Sequence, residues 1–151
     1  MADVIFQGGF KALADGELAG SPDIRLALVM SGFTGASEED SINVADLTTL
    51  DEFDGVGYQR LDAESVSFAY DSVEDEYQLT FDAGEFNASG GTVTPGSDDA
   101  IGILVILYVD GTAANDILIG FTDSGGFPFN GANTVIQYTP HADGMLVLRA
   151  A

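Results

Sequence analysis

The sequence predicts an all-β fold: a single-domain antiparallel β-sandwich, jelly-roll-like, with one short N-terminal helix. Three observations predict it. Short segments alternate apolar and polar residues with period two, turns rich in Gly, Asp and Pro separate them, and one run is apolar on both faces, as a central strand must be. With 151 residues, 46% of them apolar, the chain suits one domain, 1–151, with a core of its own.

The elements follow in order. Phe6, Phe10 and Leu13 have helical spacing and end near Gly16, although Gly8 and Gly9 inside the segment each weaken a helix by about 1 kcal/mol relative to Ala. After Ser21-Pro22, residues 23–30 place Ile24, Leu26, Leu28 and Met30 on one face of a strand. Residues 31–57 carry Glu38-Glu39-Asp40 and Asp51-Glu52-Phe53-Asp54 among small residues without sustained period, which predicts a long surface excursion. Such excursions tend to be functional, so this one and the N-terminal segment 1–20 are the expected contact regions.

A hairpin follows. Val66, Phe68 and Tyr70 alternate with small residues, 71–76 turns the corner, and Tyr77, Leu79 and Phe81 alternate with Gln78, Thr80 and Asp82. Its aromatic and aliphatic face is expected to pack on the core. The run 101–109 is the central strand, the turn 110–116 leads into the strand 117–122, and short strands at 134–138 and 145–149 complete the sandwich.

Charge is the unusual property. Twenty-five Asp and Glu against four Lys and Arg give a net charge of −21, a surface that repels phosphate and argues against nucleic-acid binding. Such a surface suits a salty medium, where its repulsion is screened. Cysteine is absent, which removes disulfides and thiolate chemistry. No apolar run approaches the roughly 20 residues of a membrane helix, and no signal-peptide pattern opens the chain. Neither a membrane nor that export route is expected.

Catalytic patterns are thin. His141 is the one histidine, so a zinc site or a Ser-His-Asp triad would lack supporting ligands or context. The pairs Asp98-Asp99, Asp71 with Asp75, and Asp51 with Asp54 have the composition of a glycosidase acid and base, yet sit in turns expected to be wet. Asp110, Asp116 and Asp123 are calcium candidates because hard cations prefer oxygen-rich turns; the competing reading makes them simple turn formers. No cofactor and no enzymatic activity are expected. The interface candidates are Phe6, Phe10, Phe53, Phe127 and Phe129. The last two lie between glycines at 125–131, where they either anchor a contact or tuck under the sandwich.

Met1-Ala-Asp-Val-Ile, Phe10-Lys-Ala-Leu, Gly16-Glu-Leu and Ile24-Arg-Leu-Ala-Leu-Val resemble the opening of small virion structural proteins of tailed bacteriophages. The second half resembles them too: Ala100 to Asp123 has a tyrosine-ended strand, an Asp-Gly-Thr turn and an aliphatic strand, before a Gly-rich loop and the closing Met145-Leu-Val-Leu-Arg. The resemblance covers most of the chain apart from 31–57 and carries no catalytic residues. It implies a capsid decoration or cement protein on the capsid exterior, made in the host cytoplasm. Its partners would be the major capsid protein and, in a trimer, itself. A tail or neck component is the alternative within the virion. A carbohydrate-binding module using Phe127, Phe129, Tyr58 or Tyr138 is the alternative of another class.

Overall fold

The computed structural model describes residues 4–87, 91–123, 126–130, 133–140 and the backbone of 146–149. His141 and Met145 lie outside the described residues. Among the described residues the chain is mostly β, with antiparallel sheets and one α-helix. The main sheet has five strands: β1 (Val4–Ile5), β8 (Ile117–Thr122), β7 (Ala100–Leu107), β2 (Ile24–Met30) and β3 (Leu61–Asp62), in that order. A second sheet orders β10 (Leu146–Arg149), β5 (Glu76–Thr80) and β4 (Ser67–Asp71), and a third pairs β6 (Gly84–Glu85) with β9 (Gln137–Tyr138).

The main sheet is apolar on both faces because both are covered, as the sequence of β7 demands. On one face Ile24, Leu26, Leu28, Ile103, Val105 and Leu107 join Leu79, Phe81, Phe86 and Ile136 from the smaller sheets and their flanks. On the other, Ala27, Val29, Leu104, Ile106, Leu118 and Phe121 pack with Val4, Phe6, Phe33 and Val44. A register shift between Val105 and Ile106 leaves Ile119 as an extra residue in β8, since Val105 pairs with Gly120 and Ile106 with Leu118. The extra residue reverses the alternation, which is why Phe121 shares a face with Leu118.

Residues 31–57 are not the surface excursion that the lack of periodicity suggests. Phe33, Val44, Leu47 and Leu50 cover the second face of the sheet, and the segment bonds to β8 and β2 in line with the short edge strands β1 and β3. Leu118 N–H donates to the Ile42 carbonyl at 2.9 Å beyond β1, while Phe53 N–H donates to the Leu28 carbonyl at 2.9 Å and Met30 N–H to the Asp51 carbonyl at 2.8 Å beyond β3. A non-periodic chain can therefore be a cover: its apolar residues are placed by turns and edge bonds rather than by one repeating geometry.

The helix α1 (Gln7–Ala14) forms where its spacing predicts. Gly8 and Gly9 weaken it but let it lie directly on the backbone of β8. A Cβ at Gly8 would stand 2.3 Å from the Ile42 carbonyl oxygen and 2.5 Å from that of Leu118, and one at Gly9 2.7 Å from that of Ile119. The residues ahead of the helix add β1 to the sheet edge, a two-residue strand too short to show a period.

Candidate functional site

The interface candidates separate on burial. Phe6 is fully buried and Phe53 is 3% exposed, so both are corrected to core residues, Phe6 on the face of the main sheet that residues 31–57 cover and Phe53 on the other. Phe10 points outward from α1 at 55% exposure. Phe127 and Phe129 are half-buried against the core, with ring centroids 5.2 Å apart. Phe129 exchanges two backbone hydrogen bonds with Ala100, so this loop tucks in. Of the tyrosines, Tyr58 and Tyr138 also lean on the core, Tyr58 against Phe53 and Phe86 and Tyr138 against Phe81.

The calcium candidates do not come together. Asp116 is buried, and its Oδ1 accepts the N–H groups of Val109, Asp110 and Gly111 at 2.8, 3.2 and 3.1 Å. Asp110 accepts Thr112 N–H at 2.8 Å and Asn115 Nδ2 at 2.6 Å, contacts that hold its carboxyl below the usual range. Asp123 follows the far end of β8, roughly 20 Å from Asp116 at about 3.4 Å per strand residue. Among the described residues no three His, Cys, Asp or Glu side chains are grouped to hold a metal ion.

Turn carboxylates elsewhere behave like Asp110. Asp54 accepts Ser97 N–H at 2.7 Å, and Asp98 accepts the Ser31 hydroxyl and Asp99 N–H; both carboxyls are held low by these bonds. Asp51 accepts Gly32 N–H at 2.7 Å and Asp71 accepts Val73 N–H at 2.8 Å. These acids organise loops, as short carboxylates do when they cap backbone amides.

The surface with the most unusual chemistry is the β4–β5 hairpin. Its register pairs Tyr70 with Tyr77 and Phe68 with Leu79, so the four share one face. Leu79, at the root, is buried as expected, but Tyr70 is 51% and Tyr77 40% exposed, and Val73 in the turn is 86% exposed. The expectation that the whole aromatic face packs on the core is thus met only at the root. The Tyr77 ring lies 5.4 Å from that of Phe68, nearly parallel, and 5.3 Å from that of Tyr70. The Tyr70 hydroxyl donates to Asp75, a bond that raises the phenol above its ordinary value. Alternation cannot tell where a hairpin leaves the body of the fold; the acids at 71, 74 and 75 were the available signal for an exposed tip, while Glu76 beside them is buried.

Among the described side chains, positive charge is engaged away from this hairpin. Lys11 pairs with Asp15, Arg25 with Asp23 and Asp62 while lying 4.1 Å over the Tyr108 ring, and Arg60 with Glu52. Compared with known proteins, the chain matches no protein-family model, no curated protein and no solved structure.

Proposed function

We propose that the protein is a non-enzymatic structural component of a tailed-phage virion. In this reading it is a decoration or cement protein that lies on the capsid exterior and bridges major capsid proteins. It acts as a homotrimer, a closed cyclic assembly able to place one contact surface over each local symmetry axis. The observation that carries the reading is the β4–β5 hairpin, whose exposed Tyr70, Tyr77 and Val73 form a contact element rather than a part of the core. The loop-organising roles of Asp54 and Asp98 support the non-enzymatic part: carboxylates held low by hydrogen-bond donors are poor general acids near neutral pH. A jelly-roll arrangement of the sheets belongs to the same proposal.

Mass spectrometry of purified virions tests it. The expected result is this chain at hundreds of copies per particle; its absence from virions overturns the reading, and a handful of copies replaces decoration with a tail or neck role. The exposed tyrosine pair also favours a second reading, a carbohydrate-binding module, because such rings stack on sugars. Glycan-array binding without virion association would establish that one instead.

A further inference from the structure

We propose that the outer edge of β4 and the aromatic face of its hairpin receive an extended, cationic segment of a partner protein. This rests on reading the hairpin as the contact element of the assembly role, and adds the chemistry of what it contacts. Three observations converge on that occupant.

The first is the edge. β4 is the last strand of its sheet, and among the described residues its outer side carries no strand. In the main sheet, residues 42–43 and 51–53 of the cover lengthen the short edge strands, pairing with β8 and β2 in line with β1 and β3. Edge strands are commonly guarded by Lys, Pro or a bulge. Ser67–Asp71 has neither residue, and its pairing with β5 runs without a register shift. An extended segment can therefore add to it through backbone hydrogen bonds.

The second is the face. Tyr70, Tyr77 and half-buried Phe68 form a contiguous row of rings. Aromatic faces attract guanidinium and ammonium groups, and tyrosine keeps a hydroxyl for water or a rim contact.

The third is charge. The exposed tip of the hairpin carries Glu74 and Asp75 beside half-buried Asp71, while Glu76 is buried, and residues 61–82 include no Lys or Arg. A second copy added edge to edge would bring one acidic tip against another. A cationic segment meets the same surface with complementary charge.

Titrate the full chain with a short synthetic peptide of alternating arginine and threonine, following backbone amide shifts by NMR and affinity by calorimetry at low salt. Saturable binding is expected, with shifts concentrated on 67–80. Affinity should fall about tenfold or more in Y70S/Y77S, a loss of ~1.4 kcal/mol, and hold within about twofold in Y70F/Y77F, which keeps the rings. The charge-neutralising pair E74Q/D75N should weaken binding more than the matched pair E39Q/D40N, which lies on the cover. If Y70S/Y77S does not fold, this matched comparison decides alone. Shifts spread over the whole surface with equal losses from the two charge pairs would overturn the proposal, as would a flat titration. So would equal affinity for an uncharged peptide or a glycan. The titration needs no virion: a flat result leaves copy number to judge the assembly role, and absence from virions leaves the binding result standing.

Discussion

Arg60 grips Glu52 at two points, Nε to Oε1 and Nη2 to Oε2, both at 2.8 Å. The same Glu52 Oε1 accepts the Tyr58 hydroxyl at 2.9 Å, and that hydroxyl in turn accepts Leu28 N–H at 3.0 Å. Burial, followed by the Glu52 charge, pushes the Tyr58 phenol well above its ordinary value, so it stays a neutral donor. The network fastens the returning end of the cover to β2. Glu52→Ala strands a half-buried guanidinium and should cost about 2 kcal/mol, while Tyr58→Phe, which leaves Leu28 N–H unmatched, should cost about 1 kcal/mol. Urea denaturation checks both; a cost for Glu52→Ala below that of Tyr58→Phe would count against the network.

Gly8→Ala reverses the usual rule for exposed helices. Propensity favours Ala by about 1 kcal/mol, but the added carbon would meet two carbonyl oxygens of Ile42 and Leu118 closer than 3 Å. The clash should prevail, giving a net loss of about 2 kcal/mol. A stabilised Gly8→Ala variant in the same denaturation assay would mean that α1 does not sit on β8 as described.

Asp116 organises the β7–β8 turn by accepting three backbone N–H groups on one oxygen. Asp116→Ala should lower stability by about 2–3 kcal/mol, and Asp116→Asn, which retains an acceptor, by roughly half as much. If instead calcium bound there, excess calcium would raise the wild-type melting temperature and EDTA would lower it; neither shift is expected.

Asp46 gives a pH signature. Its Oδ2 accepts Asn43 N–H at 2.8 Å and Ile42 N–H at 3.0 Å, bonds that hold its folded carboxyl below the ordinary 3.8. A depressed folded value means that the stabilisation is present above 3.8 and is lost as pH falls through the folded value. The stability difference between wild type and Asp46→Asn should therefore be constant near neutrality and close below about pH 4. Comparing the two proteins removes the general relief of repulsion that acid brings to a chain of charge −21. A gap that widened on acidification would refute the assignment.

Salt should stabilise the wild-type chain. Screening shrinks from about 30 Å at 0.01 M to about 3 Å at 1 M, so like-charge repulsion fades while half-buried Arg60–Glu52 is less affected. The melting temperature is expected to rise between about 10 mM and 500 mM salt. A flat or falling curve would remove the idea that the acidity suits a saline setting.

Alternation made the strands at 24–30 and in the hairpin 67–80 legible, and an unbroken apolar run those at 100–107 and 117–122, which are buried on both faces. It could not reveal that 31–57 is a cover, since Phe33, Val44 and Phe53 are brought inward by turns and by bonds to distant edges. Gly8 and Gly9 read locally as defects and only tertiary packing makes them necessary. The candidate site was half legible: alternation located the rings of Tyr70 and Tyr77, but not that the hairpin carries them clear of the core.

The cover over the second face also sets how the molecule fails. It consists largely of loop, so partial opening at 31–57 should precede global unfolding and uncover Ala27, Val29, Leu104, Ile106 and Leu118 together. Two molecules opened this way would present sticky β surface to one another. The dense negative charge then acts as a colloidal safeguard, keeping opened molecules apart long enough to close again. Salt would thus work in opposite directions, steadying the closed molecule while hastening clumping of the opened one.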